Sequence, residues 1–191
     1  MNGDRGRIFS DAAPEPLPVT IRLEAPADEA GVRGVNLAAF TGPEEADIVD
    51  RIRREGPTGW LSLVAIDGAG AIVGHVLLSP CPVIGGDGVP VGEVLAIGPI
   101  AVLPAVQFRG VGSSLMASAM SLAVARAVPA LVLLGHPTYY PRFGCESARG
   151  IWLQPPSPRW PDAAWMARRL PMWTDALRGT VRFPGAFEPF G

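Results

Sequence analysis

Apolar positions along the chain fall into two periods, and the switches between them mark the elements. Val19-Thr-Ile-Arg-Leu23 alternates, the pattern of a half-buried strand. After Pro26-Ala-Asp28, the residues Val32, Val35, Ala39 and Phe40 recur at helical spacing, and Thr41-Gly42-Pro43 breaks the run. A second helix is predicted over Glu44 to Glu55, with Ile48, Val49 and Ile52 as its apolar stripe. Glu44 and Glu45 stand in its first turn and Arg51, Arg53 and Arg54 in its last, as the helix dipole favours. Trp60 to Ile66 and Ala71 to Ser79 are apolar at nearly every position, and Asp67-Gly-Ala-Gly70 between them is a hairpin turn. Strands apolar on both sides call for cover on both faces of the sheet.

Pro80, Pro82 and Gly85 to Gly88 predict a loop, and Glu93 to Val102 the next strand. Pro99 interrupts that strand. Proline offers no N–H to a ladder, so a bulge is expected near Gly98-Pro99 that parts this strand from its neighbour. Gly110 to about Ala127 is a helix carrying Val111, Leu115, Ala119 and Leu122 on one face, stopped by Pro129. Ala130 to Leu134 reads as a buried strand, Thr138 to Phe143 as a short helical turn capped by Gly144, and Cys145 to Leu153 as a further strand. The remainder is rich in Pro, Trp and Arg, with a helix expected around Ala163–Leu170 and a strand over Gly179–Phe183. The order specifies an α/β fold: a mixed sheet between helices. It divides into a polar tail (1–18), a core (19–153) and a C-terminal extension packed on it (154–191).

Composition narrows the function classes. A net charge of −2 gives no electrostatic case for nucleic acid or an anionic membrane. All 16 basic residues are arginine, so Schiff-base and P-loop lysines are excluded. Two cysteines without a CxxC pair, and two histidines, make no metal site. The first residues lack an apolar leader core, so the expected location is cytoplasmic.

The chemistry concentrates in Val102 to Met116. A strand runs into a turn holding Gly110 and Gly112 and then into a helix, an arrangement that binds anions through backbone N–H groups. A dinucleotide fingerprint would need glycine at Leu115, and a P-loop would need lysine. The spacing Val102-x-Pro104-x-x-Gln107-x-x-Gly110-x-Gly112, after a strand with a proline bulge, resembles motif A of the GNAT superfamily of acyl-CoA N-acyltransferases. Downstream, Leu134-Gly-His-Pro-Thr-Tyr-Tyr140-Pro-Arg-Phe-Gly144 looks like its motif B. Gly98-Pro-Ile-Ala-Val102 and Val181-Arg-Phe-Pro-Gly-Ala-Phe187 are similar to a bacterial branch, the YhbS-like predicted acetyltransferases. The resemblance covers about residues 19–190.

It implies a splayed sheet flanked by helices, acetyl-CoA as co-substrate without a metal, and N-acetyl transfer to a primary amine in a ternary complex. Gln107, Phe108, Arg109, Gly110, Val111, Gly112 and Ser113 would cradle the coenzyme A pyrophosphate. Ile100, Ala101 and Val102 would pair with the pantetheine arm and polarise the thioester. Tyr140, four residues before Gly144, would be the general acid. Some members carry a basic glutamate at the position of Ala96; Glu93, three residues upstream, is the candidate base acting through water. A non-catalytic acyl-CoA sensor or interaction domain of the same fold is the alternative. His75 reads as a core histidine, His136 as lying beside the cleft, and Cys145 as packing. The acceptor, a small-molecule or peptide amine, would be shaped by Thr41–Glu45, Pro80–Gly88 and the tryptophans 152, 160, 165 and 173, whose competing role is to staple the extension to the core. A homodimer is left open.

Overall fold

The computed structural model describes residues 14–190, so thirteen residues of the expected tail lie outside those described. Strand β1 (Thr20–Leu23) leads into helices α1 (Glu29–Ala39) and α2 (Glu44–Glu55). The antiparallel strands β2 (Leu61–Ile66), β3 (Ile72–Ile84) and β4 (Pro90–Val102) follow. Then come α3 (Val111–Ala125) and β5 (Ala130–Leu134). The short strands β6 (Glu146–Ser147) and β7 (Leu153–Gln154) precede β8 (Trp165–Arg169) and β9 (Gly179–Val181). The sheet order is β1-β2-β3-β4-β5-β8-β6, with β9 between β3 and β7 at one end. It is the mixed, helix-flanked sheet expected.

Alternation decides which helix each side chain meets. Leu63, Ala65, Val76 and Leu78 join Leu115, Met116 and Ala119 of α3 in one core, while Val64 and Leu77 point the other way, onto Val32, Val49 and Ile52 of α1 and α2. Each large apolar side chain buried this way contributes about 1.5–3 kcal/mol. A third cluster, around Cys81, Val132, Leu153, Trp165 and Val181, lies beneath the C-terminal segment.

Three local expectations change. The loop over Pro80–Gly88 is shorter: β3 continues to Ile84, and the turn runs from Gly85, whose N–H bonds Val89 O. Both prolines are tolerated because they turn their missing donors away from β4. The carbonyl of Pro82 accepts from Arg182 N on that outer edge, which β2 vacates beyond Leu78. The strand expected over Cys145–Leu153 is broken by a 3₁₀ turn at Arg149–Ile151. The helix expected around Ala163–Leu170 is strand β8, paired antiparallel along the length of β5 from Ala130↔Arg169 to Leu134↔Trp165. Trp165 there is fully buried and donates its indole N–H to Leu153 O.

The expected bulge is present. Val76 faces Ile100 but Leu78 faces Ile97, so β4 spends three steps where β3 spends two. On its other side β4 pairs with β5 at Leu95 and Ala96 alone, and the two strands part beyond.

Candidate active site

The turn after β4 is built by a short 3₁₀ segment, Pro104–Val106, and by Gln107, whose side-chain amide donates to Val102 O. Phe108 and Gly110 have positive φ, 62° and 83°. Gly110 is the N-cap of α3, and its left-handed conformation aims the following N–H groups outward. The N–H groups of residues 108–113 have no partner among the described residues. Arg109 is committed elsewhere: its Nε donates to Glu15 O and its carbonyl accepts from Leu17 N, fastening residues 15–17, part of the expected tail, along the turn.

Leu103 N donates to Val73 O, which fixes the ladder's phase. By the alternation of an antiparallel pair, Ala101 turns its main-chain groups to His75 on β3, and Ile100 and Val102 turn theirs toward the parted edge.

Across that gap stands Tyr140, first residue of the 3₁₀ turn Tyr140–Phe143, with Pro141 behind it and Gly144 closing the turn at φ 73°. Its ring packs edge-on against Tyr139 at 5.0 Å. Tyr140 is 9% exposed, and its phenol makes no hydrogen bond to any described residue. Burial, then the neighbouring Tyr139 and Cys145, push its phenol up to about 12, so it keeps its proton at neutral pH.

Two cavities meet at Ile100 and Tyr140. One, of about 420 Å³, is bounded by Val102, Gln107 to Ser113 without Arg109, and Tyr139 and Arg142. The Arg142 guanidinium lies over the Tyr139 ring at 4.6 Å and brings the positive charge of this cavity. The other, of about 350 Å³, lies over Ala96 to Ile100 and Gly135 and is lined by Phe40, Glu45, Trp160, Phe183 and Phe187.

Of the sequence-predicted residues, those of the α3 turn except Arg109 come together with Ile100, Val102 and Tyr140. Glu93 does not: it is exposed, opposite Pro82 on β3, and lines neither cavity. Three residues along a strand is an odd step, so from Ala96 it projects from the other face. His136 is exposed and bonds Thr138 Oγ1, also outside both cavities. His75 is a core residue. Its Nδ1 accepts from Asn36 Nδ2, and its Nε2 lies 2.9 Å from Ser62 Oγ. Burial raises both thiols, Cys145 to about 11, and neither cysteine lines a cavity of the site. Arg142 was not singled out by sequence reasoning, and Glu45 entered it only as a first-turn helix acid and as the end of the acceptor-shaping segment Thr41–Glu45. Arg142 stands inside the motif around Tyr140, two residues beyond it, and that is the signal that would have found it. Of the four tryptophans named above, Trp160 lines the second cavity, Trp165 staples the extension, and Trp152 and Trp173 line neither cavity.

A profile described as "Acetyltransferase (GNAT) family" matches residues 31–140. The chain belongs to the GNAT acetyltransferase family. It is 34% identical over 172 residues to the uncharacterized N-acetyltransferase YhbS of Escherichia coli, covering 89% of this chain and 97% of that protein. To the uncharacterized N-acetyltransferase YjhQ of the same organism it is 32% identical over 167 residues, 85% of this chain and 91% of that one. The crystal structure of YhbS in complex with CoA superimposes with a TM-score of 0.80 at 29% identity, over 94% of this chain and 97% of the other. A GNAT acetyltransferase from Brucella melitensis in complex with acetyl-CoA does so with a TM-score of 0.70 at 30% identity, over 89% and 98%. Among the described residues no helix is long and apolar enough to cross a membrane, and no group of potential metal ligands is present.

Proposed function

We propose that this GNAT family member binds acetyl-CoA in the cavity at the α3 turn and transfers the acetyl group directly to an amine held in the other cavity. The observation that carries the reading is that the two cavities share Ile100 and Tyr140. The unpartnered N–H groups of residues 108–113, with Arg142, suit a pyrophosphate. The relatives in complex with CoA and acetyl-CoA support the same assignment.

The chemistry follows from the groups at the junction. Main-chain N–H groups at Ile100 and Val102, freed where β4 leaves β5, pair with the pantetheine arm and polarise the thioester carbonyl. The neutral amine attacks the carbonyl carbon; a C–N bond forms and the carbonyl electrons move to oxygen. As the carbonyl re-forms, the C–S bond breaks and the thiolate takes the proton of Tyr140. The proton shed by nitrogen returns to the tyrosinate through solvent. The products are an N-acetylated amine and CoA thiol. The raised Tyr140 pKa keeps the acid loaded, and direct transfer is favoured over an acyl-cysteine because both thiols lie outside the two cavities.

The test is thiol release from acetyl-CoA over a broad panel of amines with the wild type and Tyr140→Phe. The expected result is turnover on at least one amine and a fall of roughly 10²- to 10⁴-fold in kcat for the variant, with acetyl-CoA binding nearly unchanged. Acetyl-CoA binding without turnover on any amine would favour the sensor reading instead.

A further inference from the structure

The second cavity has a chemistry of its own, and it names a class of acceptor. Its wall is aromatic and fixed. Trp160 packs at 5.5 Å against the buried Trp165 and at 5.3 Å against Phe183, which stacks on Phe187 at 5.2 Å with the planes 27° apart. Phe40 and Ile48 close it on the side of α1 and α2. Among the described residues, Glu45 and Tyr140 are the only ionisable ones that line it, and no basic side chain does.

Among the acids of α2, Glu45 is the one that lines the cavity, and like the exposed Glu44 beside it, it is unpaired among the described residues. Asp47 and Asp50 on the same helix are paired with Arg33, whereas Glu45 has no ion-pair or hydrogen-bond partner among the described residues. It is half-buried and lines the cavity. A lone carboxylate beside an apolar wall complements one cation on an apolar body. It disfavours an anionic acceptor, for which the lining offers no counter-charge. A sugar or a polyamine would press hydroxyls or further charges against aromatic rings without partners, at a cost.

Resting on the acetyl-transfer reading above, we infer that the acceptor is a small primary amine carried on an apolar, aromatic body with no carboxylate. Glu45 is the counter-charge that draws in the ammonium, Trp160, Phe183 and Phe187 take the ring, and the nitrogen gives its proton to solvent before it attacks at the Ile100–Tyr140 junction. A cavity of about 350 Å³ has the size of a small-ligand site. Ring stacking and cation–π attraction to the indole favour the same ligands.

The experiment separates this inference from the reading beneath it. Tryptamine and 2-phenylethylamine are titrated calorimetrically into the full chain saturated with CoA, with L-phenylalanine, spermidine, glucosamine and a lysine-bearing peptide as comparisons. The same panel is assayed for thiol release from acetyl-CoA. The inference expects saturable binding of the two arylalkylamines, weaker by roughly 10- to 100-fold in Glu45→Gln, the scale of a charge-assisted contact. It also expects binding lost in Trp160→Ala, and a KM for the amine that rises in both variants while the acetyl-CoA KM stays put. Should Trp160→Ala fail to fold, Glu45→Gln carries the test, because its side chain supports no packing cluster. Absence of arylalkylamine binding, preference for the peptide or spermidine, or indifference to Glu45→Gln would overturn the acceptor assignment and leave acetyl transfer standing. Arylalkylamine binding without acetylation of any amine would overturn the transfer reading and keep the cavity's ligand class.

Discussion

The ring of Tyr140 occupies the space that a side chain at residue 135 would need: a Cβ on Gly135 would lie 2.2 Å from Tyr140 Cε2. The glycine at the end of β5 therefore positions the tyrosine across the parted strands. Gly135→Ala should displace the ring and lower kcat toward that of Tyr140→Phe, with little change in acetyl-CoA KM, since the α3 turn lies elsewhere. Steady-state kinetics on both variants would check this. An alanine variant with wild-type kcat would mean that the position of the ring does not matter.

Gly110 takes φ 83° with nothing within 4 Å of where its Cβ would be, so alanine there meets backbone strain and no clash. A left-handed alanine costs roughly 1–2 kcal/mol, a fall in Tm of about 2–4 °C per kcal/mol at this chain length. If the backbone instead relaxes out of the left-handed region, the N–H groups that follow lose their common direction. Gly110→Ala should therefore lower Tm with CoA binding kept if the turn holds, or weaken CoA binding if it relaxes, and calorimetry with thermal unfolding on one preparation distinguishes the two; a variant unchanged in both would refute the role of the turn.

Arg53 and Glu24 form an ion pair joining α2 to the segment after β1, Nε and Nη2 both donating to Glu24 Oε1, with side chains 11% and 6% exposed. Removing one partner of a buried pair strands the other and typically costs about 3–5 kcal/mol. Arg53→Ala should be strongly destabilising, and Arg53→Ala with Glu24→Ala much less so than the sum of the single changes. Urea unfolding of the four proteins gives the coupling, and simple additivity would refute it.

The α3 turn and Tyr140 were legible in the sequence because their chemistry is local: glycines fix the turn, and Pro141 and Gly144 bracket the tyrosine within a few residues. The proline bulge was legible for the same reason, since a missing donor cannot be repaired from afar. Strand β8 was not. Ala163-Ala-Trp-Met-Ala-Arg-Arg-Leu170 is made of residues that favour helix, and the open edge of β5 overrides that preference. There Trp165 and Ala167 face one cluster and Met166 the other. The aromatic cavity wall comes from residues 40, 160, 183 and 187, which no short-range pattern links, and Glu45 looked like a helix-dipole acid. Its meaning is tertiary. Glu93 was misplaced because closeness in sequence to Ala96 carries no information about the strand face.

His75 gives the protein a predictable sensitivity to acid. The ring is fully buried between Asn36 and Ser62, and Ser62 in turn donates to Glu24, which Arg53 neutralises. Burial first, and the charge of Arg53 second, push the imidazole from its ordinary 6.5 down to about 3. Between those values the unfolded chain binds a proton at residue 75 that the folded chain refuses, so stability rises with pH across that window and falls as pH drops below about 6.5. The loss is at most about 1.4 kcal/mol per pH unit from this one site. Asp28 acts in the same direction lower down. Its carboxylate accepts from Arg22, foremost, and from Ala25 N, is held at about 2, and gives up its stabilisation only as pH falls from about 4 toward 2. Denaturant unfolding at pH 7.5, 6.5 and 5.5 isolates the histidine, because Asp28 is ionised in both states throughout. Wild-type stability should decline between the last two points. His75→Gln, though less stable overall, should show a flatter profile, and an equal slope in the two proteins would assign the acid sensitivity to another group.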